Sequence, residues 1–179
     1  WDDFLKIKYD SRYPKNIVFL RKFGINDIYE LQEAEHPEIA EGIRIIKAWN
    51  KTGFMTDTNA AFVYKVMYEL YNHSGGDIEN KLITDKKAKF DLYVASIKNV
   101  QGEMRMHFGK LNIPLGDYQR HVRDTVDLPT DGGPDMWNAK YGNPYGDHGR
   151  IKTFIGETFI LLAKFTKDGP SFRTISPYG

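Results

Sequence analysis

The chain is 179 residues long and sets 25 Lys plus Arg against 24 Asp plus Glu, for a net charge of +1. Charges this balanced exclude a general reader of duplex nucleic acid, which needs a basic excess, and a hydrophobic fraction of 41% excludes wholesale disorder. Cysteine is absent, which removes disulfide scaffolds, thiol nucleophiles and cysteine zinc sites together.

The sequence opens on Trp1 rather than Met, and we read it as a processed chain or a piece of a longer one. The first expected elements are a short helix over residues 17–23, ended by Gly24, and another starting after Asn26. Ile39, Ile43, Ile46 and Trp49 recur at helical spacing, with Pro37 placed for the first turn. Thr52-Gly53 and Gly75-Gly76 read as breaks between helices. Phe62, Val63, Val66, Met67 and Leu70 mark a further helix. Phe90, Val94, Ile97, Gln101, Met104 and Phe108 mark the longest one, weakened only by Gly102. Residues 1–114 are thus a mainly helical segment of antiparallel helices with short loops.

Strand and turn signals take over in residues 115–179. Residues 118–122 read as a short strand, and residues 128–135, with two prolines and two glycines, as an ordered loop or a sharp crossing rather than an element. Residues 153–166 are β-branched and aromatic, with Gly156 as a bulge or close-approach point. Both faces of that stretch are apolar, the pattern of a strand covered on two sides. Lys167-Asp168-Gly169-Pro170 turns the chain into a partner strand over residues 171–176. The longest apolar cluster, Phe159-Ile160-Leu161-Leu162-Ala163, is strand-sized and far short of a membrane helix. The fold class read from this is α+β, a helical subdomain followed by antiparallel strands.

No familiar catalytic motif stands in the sequence: no nucleophile elbow, phosphate loop, dinucleotide loop or zinc-protease pair. Of the five histidines, His36, His73, His107, His121 and His148, none pairs with another four residues away. Asp147-His148 and Asp117 with His121 come nearest to a ligand pair, but surface or packing roles explain them better. Ser11, Ser74, Ser96, Ser171 and Ser176 lack a base or oxyanion donor recognisable in sequence. Glu30, Glu33, Glu35, Glu38 and Glu41 read as a solvated charged face. Asn50 and Asn72 open chance glycan-acceptor triplets. Tyr64, Tyr68 and Tyr71 read as a half-buried helix flank.

One stretch is more specific. Asp124-Thr125-Val126-Asp127-Leu128-Pro129-Thr130-Asp131-Gly132-Gly133-Pro134-Asp135, then Asn138-Ala139-Lys140-Tyr141-Gly142, resembles the penicillin acylase family of N-terminal nucleophile hydrolases. Leu115-Gly116-Asp117-Tyr118-Gln119-Arg120-His121-Val122-Arg123 is similar to that family's Trp-Gly-Asp lead-in, with Leu115 in place of Trp. Gly156-Glu157-Thr158-Phe159-Ile160-Leu161 resembles a core strand, and Phe172-Arg173-Thr174-Ile175-Ser176-Pro177-Tyr178-Gly179 the closing block. The four blocks agree in order and spacing; residues 1 to about 110 agree only in helical character.

The resemblance implies a four-layer αββα sandwich and a precursor that cuts itself into light and heavy chains. In that family a Ser at the new heavy-chain N-terminus attacks an amide carbonyl. Its own α-amino group, with an unperturbed pKa of about 7.7–8.0, is the base, and an Asn side chain completes the oxyanion hole. Residue 1 here is Trp, so the catalytic Ser and the oxyanion Asn are expected upstream, in the rest of a heavy chain of which this is an interior piece. No catalytic, cofactor or metal residue is assigned to the chain. Pro129, Gly132, Gly133 and Pro134 are expected to shape a loop near the core.

The whole protein is then expected to hydrolyse a linear amide of the penicillin, acyl-homoserine lactone or lipopeptide type. Its expected partners are the remainder of the heavy chain, the light chain and a small-molecule acyl amide. Neither nucleic acid nor a membrane span is expected, and the resemblance implies a periplasmic or secreted enzyme. The isolated chain is expected to dimerise, swap elements or aggregate. Two other readings stand beside this one: a non-catalytic binding or interaction module derived from the same fold, and, more weakly, a histidine-metal hydrolase.

Overall fold

The computed structural model describes residues 1–14, 26–73, 85–156 and 159–175. The helix expected over 17–23, the Gly75-Gly76 break, Ser74, Ser176 and the last residues of the closing block lie outside the described residues.

Helix α1, Asp2–Lys8, buries no residue. Its acidic first turn and basic last turn complement the helix dipole. A 3-10 helix over Asn26–Glu30 and another over Pro37–Ile39 lead into α2, Ala40–Ala48. Helix α3 spans Ala60–His73 and α4 spans Lys86–Phe108. The side chain of Asp85 caps α4 by accepting from the backbone N–H groups of Lys87 and Ala88, at 2.8 and 3.3 Å, and Gly109 ends it in the left-handed region.

The helical periodicity marks the buried faces correctly. Phe62, Val66 and Leu70 of α3 meet Tyr93, Ile97, Val100 and Met104 of α4 in one core. Lys65 pairs with Glu103 and Glu69 with Asn99, so numbering rises along one helix as it falls along the other, and the two are antiparallel. Helix α2 crosses them at Gly42, where a Cβ would stand 2.7 Å from Ile97. Gln101 fixes the crossing, accepting from the Gly42 N–H at 3.0 Å and donating to the Glu38 carbonyl at 3.1 Å. The link from α2 to α3, residues 49–59, is longer than the short loop expected. It holds itself together through Asp57, which takes the Thr52 hydroxyl and the Asn59 and Ala60 N–H groups.

A one-turn helix α5, Leu115–Tyr118, docks on that loop through Leu115 N–H to Asp57 O and Gly116 N–H to Met55 O, both 2.9 Å. From it runs β1, Gln119–Arg123, the strand expected there. Strand β2, Val126–Pro129, corrects the loop expected over 128–135: its register with β1 runs from Arg123↔Val126 to Arg120↔Pro129. Pro129 closes an edge strand, where its missing N–H leaves no ladder bond unmade.

Strands β3, Tyr141–Tyr145, and β4, Arg150–Ile155, complete a four-stranded sheet in the order β2-β1-β4-β3. Its hairpins are antiparallel, while β1 and β4 run parallel. The long strand expected over 153–166 is two strands in separate sheets. β4 stops at Ile155, Gly156 follows it, and among the described residues β5, Ile160–Thr166, pairs only with β6, Gly169–Ile175. Nor is it covered on both faces. Only Leu162 of β5 is buried, and Phe159, Leu161, Phe165, Phe172 and Ile175 are exposed. The chain is therefore a helical layer followed by strands in two small sheets, an α+β fold.

Candidate functional site

The Gly-Gly-Pro block lies at the crossing of the N-terminal segment, the 49–59 loop and the four-stranded sheet. Gly132 N–H donates to Gly53 O at 2.7 Å, and Gly53 N–H to Ser11 O at 2.6 Å. Asp131 takes the Met55 N–H, and Gln119 Nε2 donates to the carbonyls of Thr130 and Gly132 at 3.2 and 3.1 Å. Asn138 Nδ2 reaches Ser11 Oγ at 3.0 Å, and Lys8 Nζ reaches Trp137 O at 2.8 Å. Gly132, Gly133 and Pro134 are buried. Gly133 lies flat against Tyr64, where a Cβ would come within 2.5 Å of Cζ. The block shapes the core: it joins chain segments and presents no reactive group.

Tyr64 belongs to an edge-to-face cluster with Tyr13 and Trp49, ring centroids 5.5–6.4 Å apart. The stripe expected to be half-buried grades from fully buried Tyr64 through Tyr68 to exposed Tyr71.

Beside that core, helices α3 and α4 face the β3–β4 hairpin across a cleft of about 830 Å³. Lys65, Glu69 and Asn72 line it from α3 at one-turn intervals, and Glu103, Met106 and His107 from α4. The opposite wall is Tyr141–Pro144 and Ile151, with Phe154 and Ile155 at one end. Gly149 seats the hairpin turn on α4. It has a φ of 66°, and a Cβ there would stand 2.6 Å from the His107 ring; both facts require glycine.

The polar wall of the cleft is a connected cluster. Lys65 Nζ lies 2.5 Å from Glu103 Oε2 and 5.9 Å from the centre of the Tyr118 ring. Asn99 Nδ2 donates to Glu69 Oε1 at 2.6 Å and, more weakly, to Glu103 Oε1 at 3.5 Å, so one amide bridges the two carboxylates. Across the cleft Tyr141 donates to Asp135 Oδ1 at 2.8 Å. Burial pushes the Tyr68 hydroxyl up to about 12, against a smaller opposing pull from the Gly142 backbone. Burial, then the Tyr68 and Glu103 charges, raises Tyr118 well above the ordinary tyrosine value. Both are neutral hydroxyls at physiological pH, able to donate and to accept.

The residues weighed from sequence as chemical candidates are scattered. Ser11 is buried against Asn138, Ser96 is buried on α4 and Ser171 is exposed on β6. His121 and His148 are exposed, and His36 lies 4.0 Å from Glu38. Among the described residues no three His, Asp or Glu side chains converge as a metal site would need. Glu30, Glu33 and Glu41 take part in surface ion pairs with Lys86, Arg44 and Arg105. Among them Asn72, His107, Asp147, Tyr68 and Tyr71 reach the cleft. No sequence motif singles out Lys65, Glu69 or Glu103. Their signal was positional, since Lys65 and Glu69 stand one turn apart beside the buried Val66 and Leu70. No helix among the described residues is long and apolar enough to cross a membrane. Compared with known protein families and with curated proteins, the chain matches none.

Proposed function

We propose that the chain is an interior part of the heavy chain of a penicillin-acylase-like N-terminal nucleophile amidohydrolase. The whole enzyme hydrolyses a linear amide, of the penicillin, acyl-homoserine lactone or lipopeptide side-chain type, in the periplasm or outside the cell. Its catalytic Ser lies outside these 179 residues. The observation that carries this reading is the order and spacing of the four sequence blocks between Leu115 and Gly179. Two structural facts support it. The most distinctive block, Asp131 to Asp135, sits at the junction of three chain segments, a place where substitutions are poorly tolerated. Strands β5 and β6 expose Leu161, Phe165, Phe172 and Ile175, as strands do that belong inside a larger αββα sandwich.

Intact-mass spectrometry with N-terminal sequencing of the complete gene product tests the proposal. Two chains are expected, the heavier starting at Ser, Thr or Cys well upstream of Trp1. A single unprocessed polypeptide starting near Trp1 would remove the family chemistry. The 179-residue chain alone is expected to give no turnover of phenylacetyl or long-chain acyl chromogenic amides, and turnover above a denatured control would overturn the assignment of the nucleophile. One observation favours the second reading, a non-catalytic binding module. The α3–α4 and β3–β4 cleft has walls built from the described residues alone.

A further inference from the structure

We infer that the cleft between α3–α4 and the β3–β4 hairpin binds a neutral, elongated molecule with an aromatic body. The inference does not rest on the acylase reading. Its first support is that the charged wall is balanced from within. Lys65 Nζ holds Glu103 at 2.5 Å, Asn99 bridges Glu103 and Glu69, and Tyr141 holds Asp135. The other lining charges, Asp147 and Arg150, are of opposite sign and stand at or beside the hairpin turn, Asp147 in the open. An ion entering the cleft would shed water while the carboxylates along the helices stay committed to their partners. A neutral ligand leaves those pairs as they are.

The second support is apolar surface gathered at the same place. Tyr71 of α3, Met106 of α4, and Phe154 and Ile155 of β4 all line the cleft. All four are exposed, Met106 by 71% and Phe154 by 56%. Three elements thus bring large apolar side chains to one opening and leave them in water, which a ligand of the same character would displace. Tyr68 and Tyr141 add ring surface, and Pro134 and Pro144 have no N–H to satisfy. Rings and a thioether favour an aromatic body over an aliphatic one.

The third support is shape. The pairing of Lys65 with Glu103 fixes the level of the two antiparallel helices. At about 1.5 Å per residue, Asn72 lies about 10 Å from that pair along α3, and His107 about 6 Å from it the other way along α4. Both line the cleft, which is therefore a groove about 15 Å long. Its volume of about 830 Å³ suits two linked rings better than one.

The test uses N-phenyl-1-naphthylamine, a neutral dye that brightens in apolar surroundings, titrated into the complete gene product. Saturable binding with a midpoint below about 20 µM is expected. Three competitors of one shape then read the charge preference: 4-biphenylmethanol, 4-biphenylmethylammonium and biphenyl-4-carboxylate. The alcohol is expected to displace the dye at least about fivefold better than either ion. Met106→Glu combined with Phe154→Glu, both exposed positions, should weaken the dye at least about tenfold with helicity unchanged. Phe165→Glu combined with Phe172→Glu, on the other exposed apolar surface, should leave this binding in place. Dye binding that survives the Met106 and Phe154 pair would overturn the inference, as would loss with the Phe165 and Phe172 pair alone. Tighter competition by the ammonium or the carboxylate would overturn it on the wild-type protein, without recourse to variants.

Discussion

A methyl group added at Gly133 would stand 2.5 Å from Cζ and 2.7 Å from Cε2 of Tyr64, and closer still to the hydroxyl. Tyr64 is fully buried between Tyr13 and Trp49 and has nowhere to retreat. Gly133→Ala is therefore expected to destabilise the protein by about 1–3 kcal/mol, read as a lower urea midpoint at unchanged slope. Gly102 is the opposite case, exposed in mid-helix with nothing within 4 Å of its missing Cβ. Gly102→Ala should raise the midpoint, by about 1 kcal/mol, because it removes only helix-disfavouring backbone freedom; an unchanged midpoint would contradict that.

The buried tyrosines set an alkaline limit. Burial raises the hydroxyls of Tyr13, Tyr64, Tyr68 and Tyr118, with Tyr68 reaching about 12. In an unfolded chain they ionise near 10. Above that pH the unfolded state has shed protons that the folded state keeps. The stability they contribute is complete below about pH 10 and is lost as pH rises toward each folded value. Urea midpoints should fall steadily from about pH 10 to 12, by up to about 1.4 kcal/mol per pH unit for each such tyrosine. Tyr68→Phe should flatten that slope, and an identical slope in the variant would contradict the assignment.

Elements differ in how firmly they are held. Helices α3 and α4 share a core of fully buried side chains. The β5–β6 hairpin is paired along seven positions, from Ile160↔Ile175 to Thr166↔Gly169. Among the described residues its contacts with the rest include Trp1, with Arg173 5.0 Å above that ring and Leu162 beside Trp1 and Phe4. A two-stranded hairpin is marginal on its own. Amide protons of β5 and β6 are therefore expected to exchange far faster than those of α3 and α4, and faster again in Trp1→Ala. Protection equal to the helices would mean the hairpin has a firmer anchor.

The same contrast explains what could be read from the sequence. Helices α2, α3 and α4 and the Lys167-Asp168 turn declared themselves, because spacing and turn residues act locally; the short α1 and α5 did not. The parting of β4 from β5 did not, since an apolar run looks the same whether it continues in one sheet or passes to another. Strand β2 was hidden by Pro129, which reads as a breaker until its place at a sheet edge is known. In the cleft, Glu103 lies more than thirty positions from Lys65 and Glu69, and the antiparallel pairing of α3 with α4 brings them to one wall.

At the scale of the molecule the imbalance is between a well-packed helical half and an apolar strand surface. Phe165 is 78% exposed and Phe172 57%. The Ala163↔Phe172 and Phe165↔Pro170 pairs place them on one face with Leu161. Uncharged surface of this kind on a free-edged hairpin seeks a cover. The 179-residue chain is expected to self-associate in sedimentation between about 1 and 100 µM. Phe165→Glu combined with Phe172→Glu should restore a monomer whose helical unfolding is unchanged. A wild-type monomer across that range would show that the face is content in water.

The hydrogen bond from Asn138 to Ser11 joins residues 127 apart in sequence. During synthesis at roughly 5–20 residues per second, Ser11 leaves the ribosome about 6–25 s before the side chain it docks against. Over that interval the helices can assemble from nearer neighbours, while the segment carrying Ser11 and Tyr13 waits. Closing so wide a loop costs entropy that nearby contacts do not. The Gly-Gly-Pro junction is thus the natural last step of folding, and the place where a slowed or interrupted chain would be caught half-made.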